Sequence, residues 1–406
     1  MTRLNKKKFR SLLLFSILML SIILIVPSGN CYEMVWNFKA GDWIREVAIS
    51  DDGTTIAAVG YDQKVYLFNN KVNNPIWAYQ SNRSLSAVTL SLNGDSIIAA
   101  STNGNILFFI KDNPIPQWSY KTGATVRTLA ITPDGSHMVA GSNDNRLYFF
   151  DRNGLVWSYY TGDSFVSVVI SSNGELIAAA SSSGDHGKLY LFNKSSSTPL
   201  WNFGIRYVFS VAISSDGEYI VCGSGLGNYW EIPSEGEIAV FHKSSSTPLW
   251  TYDASIYFKS VAISSNGQLI AASSADNKFY FFERQSSTPK WIHNLQYFPE
   301  DLAMSHDGKF VVIGLKSYTI LSFGTSPKSL MWEIMSQSEI ESVDISSDGG
   351  YVVASDHSGN VYLIANTGMN SVILITSITG IVIILITTGV VIMLKRKRKF
   401  DVKVEK

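Results

Sequence analysis

The sequence contains little cysteine, histidine or charge. Of its 406 residues, two are cysteine, six are histidine and 16% are charged. Two cysteines, Cys31 and Cys222, rule out a disulfide framework. The histidines are scattered without metal-ligand spacing, and no glycine-rich phosphate loop follows a strand and opens a helix. We therefore predict no bound cofactor, no metal and no catalytic constellation, and do not expect an enzyme.

The formal net charge is zero, but the charges are unevenly distributed. Five of the first ten residues and seven of the last twelve are Lys or Arg, whereas residues 11–394 hold 21 basic and 31 acidic residues. An acidic middle argues against nucleic acid as a partner, because binding to phosphates needs a basic patch.

The first 30 residues are typical of a secretory signal peptide. Basic residues 6–10 precede an apolar segment, 11–26, and a small polar stretch, 27–30. An uncleaved signal anchor is the alternative. A lipoprotein signal at Cys31 is disfavoured, because Asn30 stands where a small Gly or Ala is expected.

Residues 371–394 are 24 residues without a charge, and as a helix they would extend about 36 Å, enough to cross a bilayer. The basic tail 395–406 follows at once, so the positive-inside rule predicts a type I protein of the cell membrane with a cytoplasmic C-terminus. Residues 31–370 would lie outside. Sequons at Asn82 and Asn193 are compatible with glycosylation there.

A unit of about 40 residues repeats through the chain. Its turn glycine recurs at Gly53, Gly94, Gly135, Gly174, Gly217, Gly267, Gly308 and Gly349. Asp or Asn precedes each glycine, as a tight turn between two strands favours, and this explanation suffices without calcium. A tryptophan recurs at the same period, at Trp36, Trp77, Trp118, Trp157, Trp201, Trp250, Trp291 and Trp332. Such periodicity indicates core anchors rather than binding residues.

Each unit contains four short runs of β-branched and aromatic residues bounded by turn residues, which predicts four antiparallel strands. Eight such units predict an all-β, eight-bladed propeller over residues 31–365. Trp36 precedes the first complete unit, and the last unit has no tryptophan strand of its own. The N-terminal strand should therefore complete the eighth blade. A seven-bladed ring with one stray unit is the alternative.

The pattern of Ser-Ser-Asp-Gly, a small-residue strand, Leu-Tyr-Leu-Phe and then Leu-Trp-x-Tyr resembles WD40-type and quinoprotein-type (PQQ-like) propeller repeats. The resemblance implies a non-catalytic binding scaffold. No unit has the Gly-His and Trp-Asp pair of typical WD40 blades. The cysteine pair and the Asp-plus-calcium constellation of quinone dehydrogenases match no positions in this chain.

In such propellers the loops entering the first strands share one rim with the loops between second and third strands. The Asp-Gly turns lie on the opposite rim, from which the predicted membrane segment follows after about six residues, at most about 20 Å. The turn side should therefore face the membrane, and the other rim should point outward.

The outward rim carries the candidate binding residues. The fifth unit is lengthened by about nine residues around Tyr229 and Trp230, and insertions in repeat proteins are often on the binding face. Tyr207, Tyr257 and Phe298 precede nearby first strands, and Trp43 is the other tryptophan outside the period. An insertion that only plugs the channel is the alternative.

The sequence thus predicts a membrane-anchored, extracytoplasmic scaffold that binds a protein or glycan on its outward rim. Two alternatives remain open. One is a quinoprotein-like or sugar-active enzyme that uses the central channel, and the other is a structural cell-envelope protein.

Overall fold

The structure is a computed structural model and describes residues 32–226 and 235–366. Every regular element in these two stretches is a β-strand, and the strands form eight four-stranded antiparallel sheets. The predicted eight-bladed propeller is confirmed. No helix of these stretches is long and apolar enough to cross a membrane. The predicted signal segment and the predicted membrane segment lie outside the described residues.

The strands follow the four-run pattern of the sequence unit. Blade 1 contains β2 (Ile44–Ile49), β3 (Thr55–Gly60), β4 (Lys64–Asn69) and β5 (Trp77–Gln80). Blade 2 contains β6 (Leu85–Leu90), β7 (Ser96–Ser101), β8 (Asn105–Ile110) and β9 (Asn113–Lys121). Blade 3 contains β10 (Val126–Ile131), β11 (His137–Ser142), β12 (Arg146–Asp151) and β13 (Gly154–Tyr160). Blade 4 contains β14 (Ser164–Ile170), β15 (Leu176–Ser183), β16 (His186–Asn193) and β17 (Trp201–Arg206).

The second half repeats this order. Blade 5 contains β18 (Val208–Ile213), β19 (Tyr219–Gly225), β20 (Gly236–His242) and β21 (Trp250–Ala254). Blade 6 contains β22 (Phe258–Ile263), β23 (Leu269–Ser274), β24 (Lys278–Glu283) and β25 (Trp291–Asn294). Blade 7 contains β26 (Pro299–Met304), β27 (Phe310–Leu315), β28 (Thr319–Thr325) and β29 (Lys328–Met335). Blade 8 contains β30 (Ile340–Ile345), β31 (Tyr351–Asp356), β32 (Asn360–Ala365) and β1 (Glu33–Lys39).

The N-terminal strand closes the ring. β1 pairs with β32 in antiparallel register, with Glu33 opposite Ala365 and Lys39 opposite Asn360. Trp36 of this strand packs against Phe68 of blade 1, with ring centroids 5.3 Å apart. The closure predicted from the sequence is confirmed, and the seven-bladed alternative is wrong, because all eight sheets have four strands.

A local hydrogen-bond network explains the Ser-x-Asp/Asn-Gly pattern of the turns. In blade 5, the Ser214 hydroxyl donates to Asp216 at 2.6 Å and accepts from the Tyr219 amide at 3.0 Å. The hydroxyl-to-Asp/Asn bond occurs in all eight blades. Gly217 adopts a φ of 75°, which favours glycine. The turn therefore explains why Asp or Asn precedes each glycine, because its side-chain oxygen accepts the hydrogen bond from the hydroxyl.

The hydrophobic core lies between the blades, where apolar faces of neighbouring sheets pack together. Five of the periodic tryptophans also donate their indole N–H to a backbone carbonyl of the next blade, as Trp201 does to Lys243 at 2.8 Å. Cys222 is fully buried in this core, and burial raises the pKa of its thiol. The core therefore joins each blade to the next through apolar contacts and tryptophan hydrogen bonds.

Candidate functional site

The strand order defines two rims. We call the side with the Asp-Gly and Asn-Gly turns and the loops between third and fourth strands the turn rim. The side with the loops between blades and those between second and third strands is the loop rim. The loop rim is the outward rim of the sequence prediction, and the candidate residues Trp43, Tyr207, Tyr257 and Phe298 belong to its loops.

The first strands surround the central channel and are joined by side chains that accept a backbone N–H from the next blade. At four joints the acceptor is a neutral hydroxyl, contributed by Thr128, Ser167, Ser210 and Ser342. A hydroxyl satisfies such a donor without placing a charge in the channel.

Carboxylates also join the blades where blades 7, 8, 1 and 2 meet: Asp301 and Glu46 take the place of the hydroxyl, and Asp344 adds a second acceptor beside Ser342. Asp301 accepts from the Val343 amide at 2.9 Å, Asp344 from the Ile49 amide at 2.9 Å, and Glu46 from the Val88 amide at 2.7 Å. These three carboxyls have only partial access to solvent, through the channel.

Burial raises the pKa of Glu46 to about 8, of Asp344 to about 7 and of Asp301 to about 6. The negative charge of Asp301 also raises the pKa of the other two carboxyls. The backbone hydrogen bonds lower each pKa, but by less than the loss of water raises it. This part of the channel therefore holds carboxyls that take up protons near neutral pH.

Three of the predicted residues form one continuous row of rings across blades 5, 6 and 7. Tyr207 contacts Phe209 with centroids 4.9 Å apart, and Phe209 stacks on Tyr257 at 4.4 Å and 18°. Tyr257 meets Phe298 edge to face at 6.3 Å. We call Tyr207, Phe209, Tyr257 and Phe298 the aromatic row. Phe209 is not among the candidate residues predicted from the sequence, although it bridges the two tyrosines.

The members of the row differ in exposure. Tyr257 is 8% exposed, so it is buried between its neighbours rather than exposed as a surface residue. The other three rings are half-buried. The Lys316 ammonium lies 5.1 Å from the Phe298 ring centroid, at the blade 7 end of the row.

Two further tyrosines on the loop rim of blade 7 are more exposed than the row. Tyr297 is 54% exposed and Tyr318 is 46% exposed. Tyr297 directly precedes Phe298 in the chain. The loop rim of blades 5–7 therefore presents a row of aromatic rings, with two more exposed tyrosines at its blade 7 end.

Trp43 lies in a separate cluster at the junction of blades 8 and 1. Its ring stacks on Tyr61 at 4.8 Å and meets the His357 ring at 4.1 Å. His357 lies 2.7 Å from Glu341, which also binds Arg45 at 2.5 Å. The structure does not bring Trp43 to the aromatic row, and the Arg45 guanidinium pairs with the Glu341 carboxylate beside it.

A polar cleft of about 690 Å³ opens between blades 4 and 5. Arg206, which directly precedes Tyr207, lines it together with Asp185, Glu237 and Asp253. Burial, and then the charge of Asp253, raise the pKa of Glu237. The cleft therefore places acidic groups beside the blade 5 end of the aromatic row.

Four residues predicted from the sequence are not part of the clusters described above. Tyr229 and Trp230 lie outside the described residues. Asn82 is exposed on the loop rim, whereas the Asn193 side chain accepts from the Ser195 amide at 3.0 Å on the turn rim. Within residues 32–226 and 235–366, no group of three or more His, Cys, Asp or Glu side chains could hold a metal ion.

Two family models match parts of the chain. The WD domain, G-beta repeat, matches residues 33–69 and 246–283, and each match covers an outermost strand followed by the first three strands of the next blade. The chain thus carries WD40 repeats within an eight-bladed β-propeller. A family of unknown function, DUF5711, matches residues 76–224 of the propeller. Its quinoprotein-like character stays a prediction.

Solved structures share the fold at low sequence identity. The Dos1 propeller is 12% identical with a TM-score of 0.68, covering 82% of this chain and 95% of its own. The C-terminal WD40 domain of Sif2 is 11% identical with a TM-score of 0.70, covering 83% of this chain and 99% of its own. No curated protein matches the sequence.

Proposed function

We propose that this WD40-type propeller is a membrane-anchored, extracytoplasmic scaffold that binds a protein partner on the loop rim of blades 5–7. The aromatic row carries the proposal. Tyrosine and other aromatic side chains contribute strongly to protein interfaces, because they bury much area while losing few rotamers. Propellers of this type are typical protein-interaction scaffolds.

The arrangement of the rings favours a protein over a glycan. A sugar ring usually stacks on an open aromatic face, but Phe209 and Tyr257 cover each other at 4.4 Å. A protein partner could use the half-buried edges of Tyr207 and Phe298 together with exposed Tyr297. The cleft beside blade 5 is lined by three carboxylates and by Lys188 and Arg206, and would accept a polar side chain of the same partner.

Membrane anchoring is supported by the sequence on both sides of the propeller. The apolar segments 11–26 and 371–394 flank a domain whose first and last strands, β1 and β32, are paired. The basic residues that follow position 394 favour a cytoplasmic tail and an extracytoplasmic propeller.

The test is partner capture from native membranes with the full chain, using variant Tyr207→Ala/Phe298→Ala beside wild type. Tyr160→Ala is the matched control, because Tyr160 is 56% exposed on blade 3, away from the row. We expect the double variant to retain at least tenfold less of a protein that wild type and the control both retain. The purified partner should likewise bind wild type and the control but bind the double variant at least tenfold more weakly. Equal retention by all three proteins would remove the row as the binding site, and retention of only glycans would favour the glycan alternative.

A further inference from the structure

The turn rim has a feature that the loop-rim site does not use. In blades 1–5 and 7, an exposed aliphatic side chain lies one to three residues ahead of the periodic tryptophan, at the beginning of the outermost strand. We call these six residues the aliphatic girdle: Ile76, Ile115, Val156, Leu200, Leu249 and Leu330. Their exposed fractions range from 44% for Leu330 to 68% for Ile115.

The fold does not require apolar residues at these positions. Successive side chains of a strand point to opposite faces, so a residue directly ahead of a core tryptophan, as in blades 1, 3, 4 and 5, faces away from the core. In blade 7 a β-bulge separates Leu330 from Trp332, and Leu330 is exposed as well. Blade 6 has Lys290 directly ahead of Trp291 and forms the same four-stranded sheet. Aliphatic side chains repeated at one height of six blades therefore indicate a contact surface.

The chain enters and leaves the propeller at this same rim. The Asn366 amide donates to Gly350 O at 2.8 Å, next to the blade 8 turn, and Glu33 of β1 lies opposite Ala365. Five peptide steps separate Asn366 from residue 371, where the uncharged segment begins, and these span at most about 18 Å. A bilayer that held this segment would lie within reach of the girdle.

Charges on the turn rim do not oppose such a contact. Lys194 pairs with Glu175 at 2.8 Å, and Lys243 pairs with Glu218 at 2.6 Å. With these two lysines paired, we expect the contact to be mainly apolar and little affected by lipid charge.

We propose that the aliphatic girdle docks on the surface of the lipid bilayer and holds the turn rim against it. The proposal rests on the membrane anchoring of the proposed function. It goes further because it assigns a lipid-contacting surface to the propeller itself and leaves the loop rim free for a partner. Each girdle side chain would enter the headgroup region, as the apolar face of an interfacial element does.

The test uses the full chain in phosphatidylcholine vesicles, with Cys31→Ser and an environment-sensitive fluorophore attached to Leu200→Cys or Leu249→Cys. Cys222 is fully buried, so it will not compete for the label. Tyr318→Cys, at an exposed loop-rim position, is the matched control. We expect spin-labelled lipid to quench the two girdle labels at least twofold more than the control label. Replacing part of the lipid by an anionic lipid should leave this ratio unchanged.

Four outcomes separate the possibilities. Stronger girdle quenching in protein that floats with the vesicles supports the proposal. Equal quenching at both rims in floating protein overturns the girdle but leaves the membrane anchor intact. A blue-shifted girdle label that lipid does not quench indicates a second copy of the chain and overturns lipid docking. Protein that fails to float overturns the anchor and the girdle together.

Discussion

The turn rim is regular around the ring, whereas the loop rim changes from blade to blade. All eight turns use the same hydroxyl bond to an Asp or Asn oxygen and a glycine with positive φ. Among the described residues, the loop rim has its aromatic row in blades 5–7 and the Trp43 cluster where blades 8 and 1 meet. The repeated turns stabilise every blade in the same way. The loop rim does not have to form these turns, so its residues can differ between blades and form a specific surface.

The largest effect should come from two glycines, one on each rim. Gly349 has a φ of 73°, and an added Cβ would lie 2.3 Å from the Phe310 ring. Gly162 has a φ of 92° and open space around it. We expect Gly349→Ala to lower the free energy of unfolding by about 2–4 kcal/mol and Gly162→Ala by about 1–2 kcal/mol. Chemical denaturation of both variants measures the difference, and equal losses would contradict the close packing of the turn rim.

The joints of the first strands provide the second prediction. The folded-state pKa of Glu46 is about 8, above its ordinary value of 4.5, so the folded protein takes up a proton between these pH values. The free energy of unfolding therefore falls as pH rises through this window, and it levels off above it.

Glu46→Gln keeps the acceptor for the Val88 amide but removes the charge. We expect it to raise the free energy of unfolding by about 1–3 kcal/mol at pH 9 and to have little effect at pH 4. Ser210→Ala, which removes a neutral acceptor, should lower stability by a similar amount at both pH values. A Glu46→Gln effect that does not depend on pH would refute the charge explanation.

The smallest effect concerns two tryptophans. Trp201 donates its indole N–H to Lys243 O at 2.8 Å, whereas the Trp43 indole N–H has no partner among the described residues. We expect Trp201→Phe to lower the unfolding free energy by about 1 kcal/mol. Trp43→Phe should change it by less than about 0.5 kcal/mol. Thermal unfolding of the two variants measures these changes. A larger loss of stability in Trp43→Phe than in Trp201→Phe would contradict the expected order of the two rims.

Much of the candidate site could be anticipated from the chain. Tyr207, Tyr257 and Phe298 stand at equivalent places ahead of consecutive first strands, so a ring of blades necessarily makes them neighbours. Phe209 was not assigned to the site, because its stack on Tyr257 crosses from blade 5 to blade 6. The burial of Tyr257 was also not foreseen, since it results from rings that other blades contribute.

The channel carboxyls could not be predicted in the same way. Glu46, Asp301 and Asp344 belong to three blades at opposite ends of the sequence, and only closure through β1 and β32 brings them together. Burial raises the pKa of all three, and the charge of Asp301 further raises the pKa of Glu46 and Asp344. A single sequence unit contains neither effect.

The sequence by itself determined the number of blades, the turns and the closing strand. Each unit encodes its own local hydrogen bonds and apolar faces, and repetition leaves a ring as the way to bury those faces. Only the tertiary structure decided which aromatic rings touch, where the carboxyls meet and which side of the ring exposes aliphatic side chains. These properties depend on contacts between blades, which no unit specifies alone.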